Sequence, residues 1–425
     1  MKVLIITYYW PPAGGSGVQR WLKFVKYLQD FDITPVIYTV ENSSYAIQDD
    51  ILEKEIPKNV EVIRRKIFEP NNFGAFLGTK NKKSSAGFLN PKPGILGKAL
   101  RYIRANYFIP DARKFWIKPS IKFLKKHIPN QGIDLIITTG PPHSLHLIGL
   151  QLKKELNMKW ISDFRDPWTE IDYFHHLPLT KASLNKHQDF EKEVAQYSDQ
   201  IIVIGNAMKD YFSSLNKNTV VITNGYDNEI KKDTPFLDDS FTITHVGMMN
   251  SDRNPKVLWN VLKELCDEHK DFKSDLIVRL IGKVSIEVEK SILDLENNVD
   301  NLGYLNHHEI QKYQNSTQLL LLCINNVPKA KGIITGKIFE YLQAKRPILA
   351  IGPEDGDAAD ILNQTDSGKI FGFENKRELK KHILELYKLF KKNKLVVNSK
   401  DIQKYHRKEL TRKLAKVIHQ TIEKN

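Results

Sequence analysis

The chain has 425 residues, 64 Lys/Arg against 50 Asp/Glu, a formal charge of +14 and an apolar fraction of 41%. That length exceeds one ordinary core, so two domains are expected, and the composition is that of a folded chain, not a disordered one. Two cysteines, Cys266 and Cys323, are too few for a disulfide framework or a thiolate metal cluster and fit a reducing, cytoplasmic setting.

In chain order, the opening "MKVLIITYYWPP" has an apolar run too short for a secretion signal and reads as a first β-strand. No later run approaches the roughly 18 apolar residues of a membrane span, so a soluble protein is expected. Short apolar runs alternate with helical patterns, the signature of parallel sheets covered by helices. Strands are predicted at 2–7, 34–40, 60–65, 134–139, 159–164, 200–205 and 219–225, with helices clearest at 17–30 and 143–156. A segment poor in apolar residues, 226–240, precedes a second set of strands at 241–247, 275–282, 299–304, 319–324, 347–352 and 368–373. A tail helix is expected from about 401 to 422. The organisation is therefore a first domain over 1–232, a second over 233–400 and a tail over 401–425. The fold class is α/β, two doubly wound Rossmann-like domains, with the ligand expected at the carboxyl ends of the strands in a cleft between them.

The positive charge is uneven. The window 58–126 holds seventeen Lys/Arg against Glu61, Glu69 and Asp111, interleaved with aromatics from Phe73 to Trp116. This pattern fits an anionic membrane surface, a plain basic face or nucleic acid. No helix-turn-helix, RNA-binding strand or zinc finger accompanies it, so nucleic acid is not taken as a partner.

Five segments that follow strands carry candidate chemistry. "YYWPPAGGSGVQRW" (8–21) places Gly14, Gly15 and Gly17 in a turn that opens a helix, a shape that brings backbone N–H groups to an anion or hydroxylated ligand. Its spacing is not that of a dinucleotide fingerprint, and a plain tight turn is the other reading. "TTGPPHSL" (138–145) sets His143 and Ser144 at a helix start, where Ser144 can be simply a cap. "WISDFRDPW" (160–168) crowds Asp163, Arg165 and Asp166 at a strand end; such charges serve function or pair to shape a loop. His175 and His176 nearby make a weak metal pair. "HVGMMNSDRNPKVL" (245–258) ends a strand at Gly247 and offers Arg253, whose guanidinium can grip a diphosphate bidentately. "GIITGKIFEYL" (332–342) puts Thr335, Gly336 and Lys337 at a turn suited to phosphate, with Glu340 one turn on, placed for ribose hydroxyls. A D-x-D pair, Asp355 and Asp357, can hold a divalent ion or can be the acidic first turn of a helix.

Together, "YYWPPAGGSGVQR", "DFRDPW", "TNGYD", "HVG…DRNP" and "GKIFEYLQAKRPILAI" resemble the nucleotide-sugar glycosyltransferases of the GT-B fold, and within them the retaining glycosyltransferase family 4. The resemblance spans nearly the whole chain in order. It implies that Glu340 binds the donor's ribose and that Thr335, Gly336, Lys337 and Arg253 face its diphosphate. It also implies that Gly14, Gly15 and Gly17 lie near the donor phosphates and the acceptor, and that the tail helix returns to the first domain. Gly282 and Tyr304 are assigned to the donor's base, Asp163 and His143 to the acceptor side, and Asp166, Arg165, Arg253 and Lys337 to catalysis. No metal or other cofactor is implied. The expected activity is sugar transfer from a nucleotide-sugar to a glycan or lipid-linked envelope acceptor, by a peripheral protein on the inner face of the membrane. A nucleotide-sugar epimerase of the same fold and a non-catalytic membrane binder are the other readings. The sequence departs from the family at Gly332, where a first acid is usual, at Met248, where an arginine is usual, and at Arg165, where a histidine is usual.

Overall fold

The computed structural model describes residues 1–423 apart from 44, 46–47, 70–93, 172–173, 175–176 and 228–235. The chain forms two compact units, Met1–Asn224 with Arg407–Asn425, and Gly225–His406. The division falls at Asn224, earlier than the expected 232, and the return falls after His406, later than 400. His175, His176 and much of the aromatic part of the basic window lie outside the described residues.

In the first unit, β1 (Lys2–Ile6), β2 (Thr34–Val40), β3 (Glu61–Arg65), β4 (Leu135–Gly140), β5 (Lys159–Phe164), β6 (Gln200–Val203) and β7 (Thr219–Val221) form one sheet in the order β3-β2-β1-β4-β5-β6-β7. Every neighbouring pair is parallel. Parallel strands need crossovers on both faces, so their interior positions are apolar throughout and do not alternate. β1 reads KVLII and β4 LIITTG, with nearly every position buried. Helix Ser16–Leu28 covers one face through Val18, Trp21, Leu22 and Val25, and the tail helix Arg407–Glu423 joins that cluster with Leu410, Leu414 and Ile418. Lys408 pairs with Asp30 at 2.7 Å beside it. The tail helix begins at Arg407, not near 401; the preceding turn Ile402–Tyr405 belongs to the second unit, where Tyr226 N donates to Tyr405 O at 3.1 Å. The opposite face carries helices Lys114–His127, Ser144–Leu156 and Lys181–Tyr197.

The second unit repeats the plan with β8 (Phe241–Val246), β9 (Leu276–Ile281), β10 (Val299–Gly303), β11 (Leu319–Cys323), β12 (Ile348–Ile351) and β13 (Gly368–Phe371), ordered β10-β9-β8-β11-β12-β13 and wholly parallel. Each strand falls within its expected segment. Helices Lys256–Glu268 and Lys376–Lys391 cover one face, and Lys337–Ala344 and Asp357–Thr365 the other. Each sheet reverses its order once, at β1/β4 and at β8/β11, and ligands in open α/β sheets bind where the order reverses.

Two glycines at the second sheet's carboxyl edge are fixed by geometry. Gly247 has φ +108° and Gly282 φ +121°, and a Cβ at Gly282 would lie 2.5 Å from the Gly247 carbonyl oxygen. Backbone cannot yield there, so Gly282→Ala is expected to destabilise the second unit by about 2 kcal/mol or more. A lower urea midpoint for that unit's unfolding, with the first unit's transition unmoved, is the measurement.

Candidate functional site

The carboxyl edge of the first sheet is organised by one buried ion pair. Asp163, at the end of β5, is fully buried and accepts from Arg20 Nη2 at 2.8 Å, Trp21 Nε1 at 2.8 Å and Thr139 Oγ1 at 2.8 Å. Burial alone would raise its pKa; the Arg20 charge and these donors outweigh it and hold the carboxyl below its usual range. Arg20 also donates to Ile222 O at 2.9 Å and Thr223 O at 2.8 Å. The pair thus ties helix Ser16–Leu28 to β4, β5 and the segment after β7. Asp163, expected on the acceptor side, is enclosed as an internal tie that receives donors from helix Ser16–Leu28 and from β4. Arg20 was not anticipated. Its signal was a lone charge flanked by Val18, Trp21 and Leu22 on a face that must be buried.

Arg165, by contrast, lies half-buried at the same edge. Its Nη2 donates to Pro141 O, its backbone N to Gly140 O at 2.9 Å, and its guanidinium stands 5.7 Å from the Tyr9 ring. A Cβ on Gly17 would fall 2.1 Å from Nη1, so that glycine admits the guanidinium beside the turn. Gly14 and Gly15 lie in the turn itself, Gly15 exposed with φ +96°. Asp166 is half-buried next to Arg165 and opposes the downward pull of burial on its pKa. His143 stacks on Trp168 with 4.6 Å between centroids, its Nδ1 buried with no hydrogen-bond partner among the described residues. Burial, then His146 and Arg165, drive its pKa well down, so the ring is neutral. His146 Nδ1 meets Thr138 Oγ1 at 2.8 Å and burial takes its pKa to about 3. The helix they open is capped from elsewhere: Asp111 accepts from Ser144 N at 2.9 Å and Ser144 Oγ at 2.8 Å.

At the second sheet's reversal, β8 and β11 pair only at Ile243–Leu319 and Thr244–Leu320. Beyond that point the strands part. Tyr341 Oη accepts from Val246 N at 3.0 Å and donates to Leu321 O at 3.3 Å, while His245 Nδ1 meets Leu321 O at 3.1 Å. Burial, then the nearby Lys337 charge, takes the His245 pKa to about 3, so its Nδ1 proton is donated to the carbonyl by a neutral ring. The backbone groups freed by the splay are served by side chains.

Over this opening lies Lys337, the first residue of helix Lys337–Ala344. A Cβ on Gly247 would meet its Cε at 2.2 Å and Nζ at 2.5 Å, so the lysine runs across the bare glycine. Burial, then the Arg253 charge, lowers its pKa to about 8. Its ammonium makes no hydrogen bond or ion pair among the described residues. Arg253 Nε donates to Asn325 Oδ1 at 2.6 Å, which fixes the guanidinium's direction. Asn326 N donates to Asp252 O at 2.7 Å, joining the loops after β8 and β11. Cys323 ends β11 in the same neighbourhood, its thiol pushed up to about 12 by burial. Thr335 Oγ1 is buried without a partner among the described residues, Gly336 is exposed, and Glu340 is half-buried with Gln314 Nε2 donating to Oε2 at 3.3 Å. Gly247, Gly282, Arg253, Thr335, Lys337 and Glu340 thus gather at one edge. Tyr304 is 92% exposed and makes no comparable contact. Asn325, His245 and Tyr341 were not anticipated, since "CINN" and "THVG" read only as strand ends. Asp355 pairs with Lys331, and Asp357 is buried in the first turn of helix Asp357–Thr365.

Solved structures share this architecture over the full chain. HepE of Anabaena in complex with UDP-glucose aligns at 14% identity and TM-score 0.57, covering 100% of this chain and 98% of that one. The fold is GT-B. An E. coli trehalose-6-phosphate protein bound with UDP-2-fluoro glucose aligns at 11% identity and TM-score 0.62, covering 100% and 99%. WaaG, a glycosyltransferase involved in lipopolysaccharide biosynthesis, aligns at 12% identity and TM-score 0.53, covering 98% and 99%. No protein-family model and no curated protein sequence matches the chain. At such identities the likeness is one of fold.

Removing the anion from the Arg20–Asp163 pair leaves a buried uncompensated charge. Asp163→Asn is expected to cost about 3 kcal/mol or more, whereas the double variant Arg20→Met, Asp163→Leu should cost less. Urea denaturation of the three proteins provides the comparison.

Proposed function

We propose that the protein is a glycosyltransferase that moves a sugar from a nucleotide-sugar to a hydroxyl acceptor, with the donor held at the carboxyl edge of the second unit. The observation that carries this reading is Lys337, a partly buried ammonium laid across bare glycine at the point where the strand order reverses. A diphosphate there would receive Lys337 as a point charge and Arg253 as a fork. Glu340, one turn on, is the acceptor for ribose hydroxyls, and the bare Gly247 lets Lys337 lie along the edge where the diphosphate would sit. The two solved neighbours that hold UDP-sugars support the same assignment by fold.

The resemblance to family 4 supports retention of configuration. In that chemistry the incoming hydroxyl approaches the face from which the diphosphate departs. The protein's main contribution is then charge stabilisation on the leaving phosphate by cations already in position. This reading assigns that work to Lys337 and Arg253 in place of a divalent metal, so activity should survive EDTA. In the first unit Arg165 and Asp166 orient the acceptor, beside the turn that carries Gly14, Gly15 and Gly17. Asp163 holds their strand end in place.

The acceptor in this reading is a glycan or lipid-linked envelope precursor at an anionic membrane surface. Helix Ile95–Tyr107 supports that part: it exposes Ile95, Leu100, Ile103 and Tyr107, set among Lys98, Arg101 and Arg104. Such a basic, apolar face suits the headgroup boundary of a bilayer. No helix among the described residues is long and apolar enough to cross a membrane.

Glu340→Gln should weaken binding of the preferred nucleoside diphosphate, chosen from UDP, GDP and ADP, by about tenfold or more. Asp166→Asn should spare that binding and lower turnover. Unchanged affinity in Glu340→Gln removes the ribose assignment, and interconversion of donor isomers without acceptor removes transfer itself.

The Lys337 proton supplies a second test. A bound diphosphate stabilises the ammonium, so the free protein must take up a proton on binding once the pH exceeds about 8. Affinity measured calorimetrically should be flat below that pH and fall above it, by at most about tenfold per pH unit. Lys337→Met should bind weakly and without that dependence.

A further inference from the structure

We propose that a groove on the helical face of the first unit binds an alkyl chain of an anionic lipid drawn from the leaflet on which the protein docks. This deepens, and rests on, the membrane part of the reading above. It is independent of the donor site.

The groove runs between helices Lys114–His127, Ser144–Leu156 and Lys181–Tyr197 and encloses about 660 Å³. That volume lies within the range of sites that hold one small amphiphile. Its floor is apolar, formed by Ile117, Ile121, Leu147, Leu150 and Phe190. Ile117 and Ile121 are one helical turn apart, so they face the groove together. The one uncharged polar side chain of the lining, Gln151, already donates to Glu155, so the floor offers little to orient a sugar or nucleotide.

The rim carries the opposite chemistry. Lys118, Lys122, Lys125, Lys126 and Lys154 stand against Glu155 and Glu193. Both acids are taken: Glu155 pairs with Lys125 and Glu193 with Lys154. Lys118, Lys122 and Lys126 have no ion-pair partner among the described residues. They repeat at four-residue spacing along one flank of helix Lys114–His127, an arrangement of like charges that costs the helix stability by itself. An anionic layer beside the helix offsets that cost, because each lysine is attracted to it.

The same helix links the groove to the apolar docking face. Its second residue, Phe115, is 40% exposed and lies edge-on to Phe108 at 6.0 Å. Lys114 donates through Nζ to Tyr107 O at the end of helix Ile95–Tyr107, where Ile103 is 45% and Tyr107 65% exposed. Apolar tip, cation row and apolar groove therefore follow one another along one surface. An amphiphile with an anionic head and a hydrocarbon chain matches that order. An acidic peptide would match the rim and not the floor.

The test uses the full chain. Cys266 and Cys323 are buried, so a thiol introduced by Gln151→Cys in the groove can be labelled selectively with an environment-sensitive fluorophore. A second label at Lys98→Cys reports helix Ile95–Tyr107. The probes are phosphatidylcholine vesicles with and without phosphatidylglycerol brominated along its acyl chain. Bromine quenching at both labels, dependent on phosphatidylglycerol, is the expected result. The triple variant Lys118→Glu, Lys122→Glu, Lys126→Glu should lose vesicle partitioning by roughly tenfold or more, with nucleoside diphosphate affinity unchanged. Quenching at Lys98→Cys alone overturns the groove assignment while the membrane reading stands. Absence of flotation on either vesicle overturns both. A response at Gln151→Cys that rises with protein concentration without vesicles makes the occupant a second copy of the chain and overturns the proposal.

Discussion

A parallel sheet must part its strands somewhere if it is built outward in both directions from its first strand, and the parting leaves backbone groups without a ladder. In the second unit this happens between β8 and β11, just past Thr244 and Leu320. Most of what distinguishes the site follows from that break. Tyr341 reaches from its helix to serve Val246 N and Leu321 O, which anchors helix Lys337–Ala344 over the gap. Once the helix is anchored there, its first residue, Lys337, has nowhere to lie but across Gly247. The lysine's position is a consequence of backbone bookkeeping one turn away.

The two units resolve their charges differently. At the first sheet's edge Arg20 and Asp163 neutralise one another in full burial, and the strands and helix they join become one rigid seat. The cost of desolvating both charges is offset by the Trp21, Thr139, Ile222 and Thr223 contacts, which leave few polar atoms of the pair unserved. At the second sheet's edge two cations, Lys337 and Arg253, converge, and burial, then the Arg253 charge, depresses the lysine's proton affinity. A structure that wanted only stability would place an acid between them. Glu340 stands one turn on and is engaged by Gln314 instead, so it remains oriented along the edge.

The sheets were legible because parallel strands buried on both faces write themselves as short continuous apolar runs, and thirteen such runs are separated by helical periods. Gly247, Arg253, Lys337 and Glu340 were legible as residues that follow strands. What escaped was pairing across long sequence separation. Nothing local to "VQRW" says that Arg20 meets Asp163, 143 positions away. "SDFRD" offers two acids for one buried partner, and only the sheet order decides that Asp163, pointing inward from β5, takes it while Asp166 stays at the edge. The helices 95–107 and 114–127 were hidden because the basic window drowns their apolar period in lysine and arginine.

That window is also where the first unit departs from a merely structural design. A helix covering a sheet needs one apolar face, and Lys114–His127 supplies it with Trp116, Ser120 and Leu124 inward. Ile117 and Ile121 pack against the edge of that cluster and keep part of their surface exposed. They lie on the next strip round the helix, half-buried, lining the open groove left by the described residues, with the Lys118, Lys122 and Lys126 row beside them. Apolar area left facing water is costly, at about 25 cal/mol per Å², and a row of like charges adds repulsion. Both terms change sign against the same partner, a layer that is hydrocarbon within and anionic at its surface. That coincidence on one helix, rather than the chain's overall charge, is what supports the proposed docking of the first unit on an anionic bilayer.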